Sequence, residues 1–330
     1  MKLPAISPHC LRILATVCCW LSLVSLTHAT HIERVVREAN PSNTIWMIST
    51  RHLEYPDWQA TAHVELKLLR FDPTGDQWVD GTLEQFLGEE TDQTMTVFYV
   101  PGNRTEWDEA FDKGWAFYHA LASDTGTPNF RFVIWSWPSD QISGPIRDVR
   151  AKACRTNSDG HYLGWLLSQM CPDAQVSLAG FSFGARIITG ALHLLGGGML
   201  TGQTLPSATL SRSPMRAVLM AAAVHNDWLL PGRPHGEVWP LTDELSILYN
   251  SSDPVLKRYR FVDPHARPAA LGYIGFWCAD EVGSAADRVS PRDVCCQVGR
   301  THDFGCYLGS VEIMESVRQT MLWKPTTRNQ

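Results

Sequence analysis

Gly180-Phe181-Ser182-Phe183-Gly184 is the stretch whose residue types and spacing could do covalent chemistry. A serine hydroxyl attacks a carbonyl carbon only when a base lies in hydrogen-bond reach and a carboxylate orients that base. Here Val176 to Ala179, four β-favouring apolar or small residues, lead into the pentapeptide, and an apolar pattern at helical spacing follows to Leu195. Strand, Gly-x-Ser-x-Gly, helix is the context of a nucleophile elbow. In so tight a bend the residues two before and two after the serine must be small, and both are glycine. The bend would lift Ser182 Oγ out of the sheet and set it at a helix N-terminus. Unpaired N–H groups and the helix dipole favour a developing oxyanion there. Average Gly and Ser usage gives a chain of this length only about 0.1 chance matches to the bare pattern. The bland alternative is an ordinary strand-to-helix turn with a solvated serine.

Positioning such a serine takes a buried sheet. Val97–Val100, Phe132–Trp135, Val176–Ala179, Ala217–Ala223 and Leu245–Tyr249 are nearly continuous apolar runs, as in strands buried on both faces of a parallel sheet. Their spacing leaves room for a crossover helix each time. Upstream, Thr44–Thr50 reads as a first strand and 62–70 as a half-exposed strand near a sheet edge. Thr82 opens a short helix with the Thr-x-x-Gln capping pattern. Thr105 to Ala122 is the clearest helix, with Trp107, Phe111, Trp115, Tyr118 and Leu121 on one face and Thr105 with Asp108 as its cap. A further helix is expected over Ser158–Met170. Residues 196–213 read as a surface loop or a lid, and 254–291 as a long connection folded against the rim. A last strand is expected over Val294–Val298 and a final helix over Phe304–Trp323. Thirteen tryptophans suit core packing, with a pocket lining by Trp107, Trp135, Trp137 and Trp228 as the alternative.

This order of elements resembles the α/β-hydrolase superfamily from about Thr94 to Trp323. Pro101-Gly-Asn103 after one strand, Trp137-Pro-Ser139 after the next, and Asn250-Ser-Ser-Asp253-Pro-Val-Leu look like a bacterial α/β-hydrolase family of undefined function. The resemblance implies an α/β fold with a mostly parallel central sheet, helices on both faces, and a triad in the order Ser, Asp, His. His302, after the last expected strand, takes the place of the base, with His265 as the lesser alternative. Asp253 takes that of the orienting acid, its backbone held extended by Pro254. Asp227, past the preceding strand, is the alternative acid. Either could instead be a turn aspartate bonding its own backbone. The oxyanion hole of such folds would use the N–H groups of Phe183 and Asn103. Where the superfamily usually has histidine at the first turn position, this chain has Pro101.

The 330 residues carry 34 acids against 28 Lys and Arg, a formal net charge of −6. With no basic run of five or more, that excludes a nucleic-acid partner. Residues 1–29 have the plan of a secretory signal: Lys2 and Arg12, a mostly apolar run Ile13–Leu26, and Thr27-His-Ala29 as a cleavage site. That run is shorter than the roughly 20 apolar residues a bilayer span needs, so no stable span is expected after cleavage. Residues 30–330 are then a single domain, secreted or periplasmic. Six cysteines remain in it, Cys154, Cys171, Cys278, Cys295, Cys296 and Cys306, an even count that suggests disulfides in an exported chain. Pairing Cys154 with Cys171 is awkward, because a helix about 20 Å long separates them. Two Asn-x-Ser/Thr sequons, at Asn103 and Asn250, fall on the loops of the expected site and read as chance matches.

These residues together predict an exported serine hydrolase using Ser182, His302 and Asp253, with no metal or organic cofactor. Its partner would be a small-molecule or lipid-like ester, the commonest substrate class of this architecture. An acyltransferase on the same triad and a catalytically silent binding protein are the alternatives. Oligomeric state is not legible in the sequence.

Overall fold

Seven strands of a nine-stranded sheet run parallel, and the loops at their C-terminal ends carry the residues singled out above. The computed structural model describes residues 40, 42–53, 64–89, 95–123, 127–205 and 212–323, all within one compact unit, Glu38–Gln330. The expected signal segment lies outside the described residues, as do 62–63 of the expected edge strand.

In chain order the strands are β1 (Thr44–Ser49), β2 (Lys67–Asp72), β3 (Gln77–Gly81), β4 (Met95–Val100), β5 (Phe130–Ser136), β6 (Val176–Phe181), β7 (Met215–Met220), β8 (Thr242–Tyr249) and β9 (Val289–Asp293). They lie in the order β3-β2-β1-β5-β4-β6-β7-β8-β9, with β2 antiparallel to both its neighbours. The helices are α1 (Leu83–Gly88), α2 (Trp107–Ala122), α3 (Pro145–Gln169), α4 (Phe183–Leu195), α5 (Leu271–Ile274), α6 (Cys295–Val298), α7 (Phe304–Leu308) and α8 (Val311–Met321). Every residue of β4, β5 and β6 is buried, which is why these strands show apolar runs instead of alternation. The two faces of β6 meet different helices. Ser177 Oγ donates to the Met321 carbonyl of α8, while Gly180, of opposite parity, lies against Ala185 of α4.

After β5 the chain crosses back past β4 to lay down β6, so strand order reverses between β4 and β6. Ligand sites of open α/β sheets form outside the carboxyl ends of the strands at such a reversal. Val100, the last residue of β4, is in register with Gly180, so the loop after β4 and the elbow after β6 start side by side.

Several elements differ from the sequence-based expectation. Helix α3 starts at Pro145, well before Ser158, because its first half buries polar residues, Asp148, Lys152, Arg155 and Thr156 among them, and so shows no apolar periodicity. The last strand is Val289–Asp293, not Val294–Val298, most of which is the single turn α6. An edge strand tolerates Ser-Pro-Arg-Asp because one row of its backbone groups needs no partner strand. The final helix is broken at Gly309-Ser310, and Ser310 caps α8. Glu106 and Glu109, not Thr105 and Asp108, form the capping box of α2. The box on Thr82 and Gln85 is present as expected. Residues 200 and 203 pair in the segment expected as loop or lid, and Met199 N donates to His193 Nε2 at 3.0 Å. Residues 206–211 of that segment lie outside the described ones.

The expected disulfides are not shown: Cys154, Cys171, Cys278, Cys295, Cys296 and Cys306 form no S–S bond in the structure. Cys154 sits in the first half of the 25-residue α3 and Cys171 just beyond its far end, a separation no S–S bond closes. No helix among the described residues is long and apolar enough to cross a membrane.

Candidate active site

Ser182 sits in a strained backbone conformation. Its backbone lies at φ 54 and ψ −117, a region costly for any residue with a Cβ, of order 1–3 kcal/mol. Close packing over-determines it. Ser182 N donates to the Met220 carbonyl at 2.9 Å, and the Ser182 carbonyl accepts from Ala223 N at 3.1 Å and Ala185 N at 3.2 Å. The flanking glycines are required by space: a Cβ on Gly180 would lie 2.6 Å from Ala185 N, and one on Gly184 would collide with the Val100 carbonyl.

From this bend the hydroxyl meets an imidazole contributed 120 residues later. His302 Nε2 is 3.0 Å from Ser182 Oγ, and His302 Nδ1 is 2.6 Å from Asp253 Oδ2. Asp253 is fully buried; its other oxygen, Oδ1, accepts from Val255 N at 2.8 Å and Leu256 N at 2.9 Å. The carboxylate is thereby aimed by the backbone that follows it, and one oxygen is left for the ring. The His302 ring packs beside Phe181, with ring centroids 5.0 Å apart.

The other sequence-predicted residues are placed elsewhere. Asp227 is 38% exposed and points to Arg233 Nε at 3.7 Å. His265 is 98% exposed, its Nδ1 3.9 Å from Asp263 Oδ1. Trp135 and Trp137 are core, and Trp107 and Trp228 are half-buried.

Phe183 is the first residue of α4, so its N–H has no acceptor within the helix. The loop Pro101–Asn103 lies against the elbow: a Cβ on Gly102 would be 3.1 Å from Ser182 Cβ. Residues outside the triad hold this loop. Trp137 Nε1 donates to the Pro101 carbonyl at 2.8 Å, and Arg104 N to the Ser139 carbonyl at 2.8 Å. Asp148, wholly buried near the start of α3, accepts from Asn103 Nδ2 at 2.9 Å, Arg104 Nε at 3.1 Å and Ile142 N at 3.1 Å. Trp137-Pro-Ser139 therefore serves as a clamp on the Pro-Gly-Asn turn. Asp148 could have been suspected only from the helix that contains it, which the sequence hides.

Asn250 is the second residue that sequence reasoning missed. Fully buried, it donates through Nδ2 to the Gly299 carbonyl at 2.8 Å and the Thr301 carbonyl at 3.1 Å, and accepts from Ser252 N at 2.9 Å. It ties the turn bearing Asp253 to the loop bearing His302. Both sequon asparagines thus spend their amide nitrogens on internal bonds.

Burial makes the surroundings of α4 poor in protonated histidine. Desolvation, then the nearby Arg186 guanidinium, lowers His225 from 6.5 to about 4. Desolvation likewise lowers His193, and His235 strongly. Among the described residues no group of three or more His, Cys, Asp or Glu could hold a metal ion.

A mostly parallel sheet covered by helices, with a serine elbow after the strand beyond the order reversal, defines an α/β-hydrolase fold. No family model and no curated protein matches the chain, so the narrower resemblance to a bacterial family is not shown. Among solved structures, an acyl-protein thioesterase 2 from Zea mays matches with TM-score 0.37 and 16% identity, over 70% of this chain and 93% of that one. An esterase B from Lactobacillus rhamnosis matches with TM-score 0.39 and 14% identity, over 92% of this chain and 93% of that one. The catalytic core of an acetyl xylan esterase from Trichoderma reesei gives 0.31 and 16%, over 61% and 82%. At scores and identities this low, no property of those proteins transfers to this chain.

Proposed function

We propose that the chain is an exported serine hydrolase of carboxylic esters, working through an acyl-enzyme on Ser182. The observation that carries the reading is His302, hydrogen-bonded through one nitrogen to a buried carboxylate and through the other to a strained serine hydroxyl. As Ser182 Oγ attacks the ester carbonyl, His302 Nε2 takes its proton. The same nitrogen then protonates the departing alkoxide. Asp253 holds Nδ1–H, which fixes the tautomer and stabilises the imidazolium. The N–H groups of Phe183 and Asn103 receive the oxyanion of the tetrahedral intermediate. Water, activated by the same imidazole, then breaks the acyl-serine bond and restores the hydroxyl. The secretory pattern of residues 1–29 supports export. N-terminal sequencing of the exported protein tests it, and an intact Met1 terminus would remove it.

A fluorophosphonate probe tests the chemistry. Wild type should be labelled at Ser182, and Ser182→Ala should lose both labelling and p-nitrophenyl ester turnover, the latter by about 10⁶-fold. Unlabelled wild type would point to a silent binding protein. Turnover that rises with added alcohol and yields a new ester would point to an acyltransferase.

A further inference from the structure

The connection after Asp253 is built with two unlike faces. Its 3-10 helix, Leu256–Phe261, repeats every three residues, so positions three apart share one side. Leu256 and Tyr259 face inward, and the Tyr259 hydroxyl donates at 3.0 Å to the Ala223 carbonyl, whose own N–H holds the Ser182 carbonyl. On the outer side Val255 (52% exposed), Arg258 and Phe261 (45% exposed) form one stripe, and Lys257 and Arg260 form the next. Arg150 Nε donates to the Phe261 carbonyl at 3.2 Å, which joins the first turns of α3 to this stripe. There Ile146, 50% exposed and one helical turn before Arg150, lies on the same helix face.

Charge here opposes that of the chain. Residues 254–267 hold four Lys and Arg against one acid, Asp263, in a protein of net charge −6. The nearby carboxylates are already engaged. Asp263 accepts from His265 N and Ala266 N, Asp148 binds Arg104, and Asp140 pairs with Arg51 at 2.6 Å. Among the described residues Arg150, Lys257, Arg258 and Arg260 pair with no carboxylate. Exposed large apolar side chains interleaved with bases that lack a carboxylate partner are the composition of a membrane-interface segment, in which apolar groups enter the acyl boundary and bases meet headgroup phosphates. A highly charged soluble polymer would engage the bases and leave Val255, Phe261 and Ile146 without a role.

We propose that this stripe docks the protein on an anionic lipid surface, with the outer side of the element that braces the elbow turned toward the lipid. The proposal goes beyond the ester chemistry and does not depend on it. Vesicle flotation of the mature chain, residues 30–330, carrying Ser182→Ala tests docking without lipid turnover. Phosphatidylcholine vesicles containing phosphatidylglycerol should carry the protein, pure phosphatidylcholine should not, and high salt should release it. Lys257→Ala with Arg260→Ala should lower the partition coefficient about 30-fold, from about fivefold per base. Phe261→Ser should lower it several-fold, and Lys113→Ala, on α2, should leave it unchanged. Circular dichroism and the thermal midpoint of the same variants verify that they fold. Should the paired variant misfold, Arg150→Ala takes its place, with about a fivefold loss expected. Equal flotation with both lipids, or none with either, overturns the proposal. So does retention on heparin that the paired variant abolishes while Phe261→Ser changes nothing with vesicles, which would mark an acidic polymer as the partner.

Discussion

Adjacent parallel strands β7 and β8 each end in a turn with an asparagine and an aspartate, His225-Asn-Asp227 and Asn250-Ser-Ser-Asp253. In sequence both are candidates for the triad acid, with Asp253 preferred because Pro254 holds its backbone extended. In the structure they do different work. The turn after β8 is closed on itself by Asn250, caps the following 3-10 helix through Asp253 Oδ1, and presents Oδ2 to His302. The turn after β7 leaves Asp227 at the surface beside Arg233 and uses its histidine as packing, between Trp228 at 4.2 Å and Tyr259 at 5.6 Å. An orienting acid thus needs more than a place beyond a strand. It needs burial, which strengthens its bond to the imidazole, and backbone donors that leave only one oxygen free.

The sharpest way to break this comparison is Asp253→Asn, which keeps the shape but favours the wrong imidazole tautomer. Ester turnover should fall about 10⁴-fold. An equal fall from Asp227→Asn would refute the assignment. Next in size is Asp148→Asn, which weakens the hold on Asn103 and Arg104 without touching substrate. We expect kcat to drop about 10- to 100-fold with KM little changed, since an oxyanion donor matters most in the transition state. A rise in KM at constant kcat would make Asp148 merely structural.

The third test concerns the packing role of the β7 turn. Burial and Arg186 hold His225 down at about 4 against 6.5 when unperturbed, with Asp227 and Asp263 opposing weakly. Between those values the unfolded chain binds a proton that the folded chain refuses. The contribution of His225 is therefore full above pH 6.5, falls as the pH drops, and levels off below about pH 4. The loss should be roughly 1–3 kcal/mol, read as a fall in urea midpoint. His225→Gln should flatten that part of the profile; an unchanged acid slope would show that the ring is not held neutral. The smallest effect belongs to Asp227→Asn, whose exposed ion pair is worth about 0–1 kcal/mol. Turnover should stay within about twofold and the thermal midpoint should barely move.

How much of this was legible in advance follows from what each element buries. Helix α2 and the strands β4 to β8 bury apolar side chains, so their periodicity announces them. Helix α3 and strand β9 do not: one buries a polar network on its inner face, and the other is an edge with Pro291 in it. Asp148 and Asn250 were hidden for the same reason, since a buried polar residue is indistinguishable in sequence from a surface one. Asn250 even appeared as a sequon, a pattern defined by solvent-facing loops.

The sequence by itself determined the elbow, because steric exclusion around a cramped backbone leaves a local signature: glycine two residues either side of Ser182, between a strand and a helix. It also narrowed the partners to two aspartates and a histidine, because strand ends can be counted along the chain. Only the tertiary structure brought Asp253, and not Asp227, to the His302 ring and set Trp137 and Ser139 against the Pro101–Asn103 loop. Those outcomes depend on burial and hydrogen-bond direction between segments 36 to 120 residues apart, and no local pattern encodes which of two turns will face a distant ring.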